Sequence, residues 1–282
     1  MRSLRTVFVC LAILTASFVA VNAQDQKAED VITKNFAAIG TAEARAAIKN
    51  QLAVGASEFK AKLPATTGGG KAIVVSNLNN FYFLVSLNSK EYPFEKIGYF
   101  DGKTSLPFVT AGTRSPLGAF IAEHERILSD GIFGGTISGR WGMLDKDKRK
   151  GKLMYGGQKK VDGRAVHMLE YYPADGGSAE FVIRMYFDAE TYLHVRSDYR
   201  HEISAKQDTF GTLGRMAGAK LVLTEDFSDF KVTNGLNLPY TYKATFSTSS
   251  QSGLYEYVWG LRLTQYLFNQ NLASDFFTFD IK

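Results

Sequence analysis

The segment from Phe181 to Ile203, FVIRMYFDAETYLHVRSDYRHEI, alternates apolar and polar residues with a period of two on both sides of a corner at Asp188 to Thr191. Phe181, Ile183, Met185 and Phe187 share one face, which Leu193, Val195, Tyr199 and Ile203 continue. Arg184, Asp188, His194, Arg196, Asp198, Arg200 and Glu202 take the other. This is the pattern of two antiparallel strands with one buried face. Similar runs predict strands near 71–77, 81–88, 95–101, 152–161, 164–173, 179–188, 192–203, 220–233, 236–247 and 254–265. The pairs Asp101-Gly102, Asp162-Gly163 and Asn234-Gly235 lie between such runs and predict tight hairpins, because both turn residues accept a positive φ. Asp175-Gly176-Gly177 adds another turn. Successive hairpins build an antiparallel meander, not βαβ units.

Helical periodicity is confined to two places. Val31, Ile32, Phe36 and Ile39 recur on one face before Gly40, and Ser115 to Ser129 opens with a Ser-Pro start and carries the stripe Leu117, Phe120, Ile121, Ile127 and Leu128. Glu123, Glu125 and Arg126 lie off that stripe, so the second helix fits across a greasy surface with its back in water. Gly131 and Gly134-Gly135 after it read as freedom to move. A short strand near Ile48 to Phe59 and a flexible connection from Pro64 to Gly70 complete the reading. The Gly68-Gly69-Gly70-Lys71 run is not a phosphate loop: Ala65 replaces the first glycine and Ala72 the hydroxyl residue.

Aromatic residues sharpen the picture. Phe81, Phe83, Val85 and Leu87 share a strand face, as do Tyr240, Tyr242 and Phe246, and Tyr255, Tyr257, Trp259, Leu261 and Leu263. Two helices are little cover for so many apolar strand faces, so the enclosed space is either a ligand cavity or an ordinary core.

Met1 to Ala23 has Arg2 and Arg5, an apolar run to Val21 and the ending Val-Asn-Ala, the pattern of a cleavable secretory leader. Residues 24–282 are then one domain, expected in the periplasm, with no later segment long and apolar enough to span a bilayer. Cys10, the one cysteine, lies inside the leader without the small residue that precedes a lipid-anchor cysteine, so the mature chain has no thiol for a disulfide, metal or nucleophile. The 33 basic residues, two of them in the leader, face 28 acidic ones, a balance that does not point to nucleic acid. The basic cluster Lys146, Lys148, Arg149, Lys150 and Lys152, with Lys159 and Lys160 nearby, reads as a solvated loop.

The four histidines carry the remaining chemistry. His194 and Asp198 share a strand face and His201 takes the opposite one, so only a bulge would gather all three, and they read as surface groups. His124 belongs to the edge of the helix stripe, and His167 has no assigned role. Ser138 in Gly135-Thr-Ile-Ser-Gly139 sits one place late for a nucleophile elbow. No catalytic residue, metal site or cofactor is expected.

Four segments, Asp30 to Gly40, Tyr99 to Thr104, Met185 to Val195 and Phe227 to Pro239, resemble in order and spacing the LolA/LolB-type periplasmic lipoprotein carriers. The resemblance implies an α+β, mainly antiparallel fold: an unclosed curved β-barrel, or half-barrel, with helices as a lid over a hydrophobic cavity. It also implies an acylated lipid or lipoprotein as ligand, with an envelope protein as a possible partner. The cavity lining expected is Phe81, Phe83, Val85, Leu117, Phe120, Ile121, Phe181, Ile183, Met185, Phe187, Leu193, Val195, Tyr257 and Trp259. A sensor or protein-interaction domain and a cofactorless enzyme are the other readings of the same half-barrel.

Overall fold

The computed structural model describes residues 25–62, 65–90, 92–147, 149–174, 180–204, 218–251, 253–273 and 276–277. The leader and the Asp175-Gly176-Gly177 turn lie outside them. A helix α1 (25–39) and a short α2 (Ala42–Ala46) lead into β1 (Asn50–Lys62), β2 (Ala65–Asn77), β3 (Phe81–Ser86), β4 (Phe94–Phe100) and β5 (Lys103–Ser105). A long connection carries α3 (Pro116–Glu123), α4 (Arg126–Ser129) and two 3-10 turns, Gly135–Ile137 and Gly139–Leu144. Then come β6 (Lys152–Val161), β7 (Arg164–Tyr172), β8 (Phe181–Asp188), β9 (His194–Ile203), β10 (Ala219–Thr233), β11 (Leu236–Ser250) and β12 (Gly253–Phe268).

All twelve strands form one antiparallel sheet, ordered β5-β4-β3-β2-β1-β12-β11-β10-β9-β8-β7-β6. Two meanders are joined where β1 pairs with β12, and the sheet does not close, so β5 and β6 are its edges. One hydrophobic cluster nevertheless unites Ile97 of β4, Ala53 of β1, Trp259 of β12, Met185 of β8 and Leu153 of β6 with Leu117, Phe120 and Ile127. The sheet therefore curls around a single filling, and the β5–β6 connection lies across it as a lid. The meander is the one that the alternation predicted, and its open curl is the half-barrel that the resemblance implied.

The three Asx-Gly turns have positive φ at both residues, 48° and 78° at Asp101-Gly102, 48° and 84° at Asp162-Gly163, and 50° and 77° at Asn234-Gly235. Asp188 closes its corner by accepting from the Glu190 and Thr191 amides. Ser115 caps α3 by accepting from the Gly118 amide at 2.8 Å.

Four expectations change. Ala65 to Gly70 is strand, paired residue by residue with β1. Gly68 is there for close approach, since a Cβ would lie 2.5 Å from the Leu87 carbonyl oxygen. The expected single helix from Ser115 to Ser129 breaks at His124 (φ −125°, ψ 48°), whose ring turns toward β9 instead of continuing the stripe. Gly134 and Gly135 are buried, not a hinge; a Cβ on Gly135 would lie 2.7 Å from the Phe227 ring. Finally, Arg149 is no solvated loop residue: its side chain is buried in an ion pair with Glu29 of α1.

The lid's backbone runs over an apolar surface, and its polar groups are answered from below. Glu95 of β4 accepts from Ser115 Oγ at 2.8 Å and from the Tyr92 hydroxyl. Glu225 of β10 accepts from the Gly134 amide, Tyr199 and Tyr242 at 2.8, 2.7 and 2.8 Å. Gln51 donates to the Thr136 and Ile137 carbonyls, and Ser76 accepts from the Gly139 amide. Within the lid, buried Arg140 donates to the carbonyls of Leu128 and Ser129 that end α4.

Burial pushes Glu95 and Glu225 up to about 7, against the donors that pull them down. Burial pushes His194 down to about 3 and His124 down to about 4. Between pH 4.5 and about 7 the unfolded chain has released the glutamate protons and the folded chain keeps them, so the glutamate contribution falls as pH rises. The histidines act oppositely: below pH 6.5 the unfolded chain protonates them first, so stability is lost toward acid. Because the trends oppose one another, a variant isolates one of them. Relative to wild type, Glu225→Gln should gain roughly 2–4 kcal/mol between pH 4.5 and pH 8 in urea unfolding, and a constant offset would count against this account. Gly135→Ala, strained at φ 47° and overpacked, should lose roughly 2–4 kcal/mol; an unchanged urea midpoint would refute the packing described.

Candidate functional site

Alternation along the strands sends every second side chain to the inner face, and most of the expected cavity lining arrives there. Phe81, Phe83 and Val85 of β3, Leu117, Phe120 and Ile121 of α3, Ile183, Met185 and Phe187 of β8 and Trp259 of β12 are each at most 1% exposed, within one cluster. Phe133 of the lid meets the rings of Phe81 and Phe83 edge-on, at 5.9 and 5.8 Å between centroids. The space beneath α3 is thus filled by side chains. Phe181 and Tyr257 stand half-buried at its margin.

Leu193 and Val195 do not reach the inner face. Tyr186 pairs with Arg196 and Phe187 with His194, leaving Val195 as the extra residue of a β-bulge. Alternation reverses there. Val195 packs outside against Val166, Met168 and Tyr186, and Leu193 lines an outer recess with it.

The same bulge turns His194 inward, against expectation. It is 1% exposed, stacked on Trp141 at 4.4 Å and flanked by Phe187 and Phe227. Its Nε2 lies 3.0 Å from Ser197 Oγ, a contact that looks like a nucleophile and its base. Both residues are sealed in the core, however, and His194 Nδ1 has no hydrogen-bond partner among the described residues, so no third group orients the ring. Asp198 does point outward but is not a free surface group: it accepts from Tyr186, Thr224 and Arg200 and is 5% exposed. His201, also buried, meets His124, with 3.2 Å between His124 Nε2 and His201 Nδ1. His167 makes a hydrogen bond with the Tyr155 hydroxyl and stacks on Tyr192.

Open space lies at the flanks of the lid. The larger recess, ≈ 520 Å³, is walled by α1, α2, the 3-10 segment and the starts of β1 and β11. Phe36, Ile39, Ile48, Trp141, Leu236 and Leu238 supply apolar walls, and Arg45, Gln51 and Asp145 supply polar groups. The stripe of α1 explains its shape. Val31 and Ile32 are buried, but the next inward position is taken by Asn35, fully buried, and Phe36 is left half-buried on the recess wall. Asn35 donates to the Tyr192 carbonyl and accepts from Trp141 Nε1 at 3.2 Å, which fixes the indole that forms one wall. The Arg45 guanidinium lies over the Phe36 ring, 4.9 Å from its centroid, and donates to the Gly40 carbonyl. A second groove, ≈ 370 Å³, runs beside α3 between Phe120, Leu221, Phe246, Tyr255 and Tyr257.

The apolar stripe of α1 contains Phe36 and Ile39, but periodicity alone assigns no role to this recess. Asn35, polar in the middle of an apolar stripe, was the available signal.

No family model matches the chain, and no curated protein matches it in sequence. Among solved structures, it is similar to a LolA superfamily protein from Nitrosomonas europaea, at 14% identity and a TM-score of 0.47 over 90% of this chain and 98% of that one. It is similar to an outer membrane lipoprotein-sorting protein domain from Vibrio parahaemolyticus, at 13% identity and a TM-score of 0.45 over 89% and 97% of the two chains. A DUF1329 family protein from Desulfovibrio piger aligns at 14% identity and a TM-score of 0.38 over 92% and 97%.

Proposed function

We propose that this chain is a periplasmic carrier or binding protein that shields the acyl chain of a lipid or lipoprotein, received in the recess between α1, α2, Trp141 and the starts of β1 and β11. The recess itself carries the reading. At ≈ 520 Å³ it falls within the roughly 300–1,000 Å³ of small-molecule sites, with mostly apolar walls and few polar groups. Ile39, Trp141, Leu236 and Leu238 belong to the hydrophobic core, so an acyl chain there would extend the core instead of lying on a wet surface. Each methylene so buried contributes about 0.8 kcal/mol. The Arg45 guanidinium offers an anionic headgroup a cation at the recess wall. The leader read at Met1 to Ala23 supports the compartment. In this reading the filled space beneath α3 is the unloaded arrangement, and Phe120 and Tyr257, bordering the second groove, are where a longer chain would press inward.

Solvent extraction and mass spectrometry of the purified mature protein should recover acyl material near one equivalent. A protein that is empty and ignores fluorescent fatty acids would overturn the proposal, as would capture of a single protein partner without lipid. Phe36→Glu and Leu238→Glu place a charge on the recess wall and should weaken binding of a fluorescent fatty acid at least about tenfold. Binding unchanged in both folded variants would place the ligand elsewhere.

A further inference from the structure

Where α3 ends, three side chains with metal-binding atoms meet. His124 Nε2 lies 3.2 Å from His201 Nδ1, His201 Nδ1 lies 3.5 Å from Glu123 Oε1, and the three donor atoms all lie within 4.8 Å of one another. A zinc ion with bonds of about 2.0–2.1 Å and tetrahedral angles holds its ligand atoms about 3.3–3.4 Å apart. Two of the three edges already match. The third involves Glu123, whose exposed carboxylate is free to swing.

The two rings are held in place without a metal. His124 stacks flat on Phe181, with centroids 3.9 Å apart and planes 3° from parallel, and meets Phe120 edge-on. The His201 ring stands at 87° to it, set by its position on β9. His124 forms this contact because the helix breaks at that residue.

We propose that Glu123, His124 and His201 form a binding site for a divalent transition metal of the zinc class, joining the lid to the sheet. The donor set of two imidazoles and one carboxylate suits zinc, copper or nickel and leaves a fourth position to water on the exposed side. Proton bookkeeping is simple. The contact between the rings holds one N–H, donated by one ring to the other. The metal takes the lone pairs of both facing nitrogens, so the donating ring moves its proton to its far nitrogen and remains neutral. No net proton is released. Glu123 and His124 come from the lid and His201 from β9, so the bound metal cross-links them.

This site does not depend on the acyl-carrier reading, and its test is separate. Untagged, chelator-treated protein is titrated with zinc chloride by calorimetry, with cobalt(II) as a spectroscopic probe. One equivalent should bind, cobalt should give the visible absorption of a tetrahedral site, and zinc should slow amide exchange in residues 116–129. His124→Gln and His201→Gln should each weaken binding about 100-fold, and Glu123→Gln about tenfold. Glu123 is exposed, so its variant keeps the test decisive if a histidine variant fails to fold. Absence of binding to the folded wild type, or affinity unchanged in these variants, would overturn the proposal.

Discussion

The two edge strands of the open sheet, β5 and β6, are consecutive in sequence, so the connection between them must travel from one edge of the half-barrel to the other. The route is across the inner face, and that constraint shapes the rest of the molecule. A connection laid on an apolar surface carries amide and carbonyl groups away from water, and each needs a partner. The partners come from the strands beneath it: Glu95, Glu225, Gln51 and Ser76, each projecting inward from a different strand. Short helices and 3-10 turns satisfy part of the demand internally, which is why the lid is built from them.

Placing carboxyl groups in that position has an energetic consequence. A buried carboxyl is expensive when ionised, and the donors around Glu225, two tyrosine hydroxyls and one amide, recover only part of the loss. The neutral buried histidines strain the protein in the opposite direction of pH. The lid is therefore held by groups whose protonation is coupled to their burial, and the same bonds that fix it specify one register over the sheet. Asp130 adds a tie at the other edge, accepting from Tyr171 of β7 at 2.9 Å.

The alternation of apolar residues and the Asx-Gly turns made the strands legible, because each is a local signal with a local cause. Ser115-Pro116 marked a helix start for the same reason. What was not legible depends on partners distant in sequence. A single extra residue at Val195 reverses the facing of His194, Leu193 and Val195, and only pairing with β8 reveals it. The helix break at His124 has no glycine or proline to announce it; the ring's partners, Phe181 and His201, lie on β8 and β9. Ala65 to Gly70 read as loop because three glycines in a row have no side chains to pattern, yet their smallness is what lets β2 pass the Leu87 carbonyl. Phe81, Phe83, Val85, Ile183, Met185, Phe187 and Trp259 reach the inner face as strand alternation predicts. Whether the space between them was open was a matter of ring packing, to which sequence periodicity is blind.

Under the proposed carrier role, that packing sets where an acyl chain would enter at least cost. Beneath α3, an acyl chain would have to displace rings already in contact, such as Phe133 against Phe81 and Phe83, and would forfeit the burial they provide. At the α1 recess it would fill space already bounded by Ile39, Trp141, Leu236 and Leu238. The difference traces to Asn35. By bonding Trp141 and the Tyr192 carbonyl at once, it holds α1 to the lid and to the β8–β9 corner while leaving Phe36 partly uncovered. An apolar residue at that position would pack into the core but could not satisfy the indole N–H or that carbonyl. The recess wall is thus maintained by polar bonds behind it, so the opening can persist without collapsing onto the core.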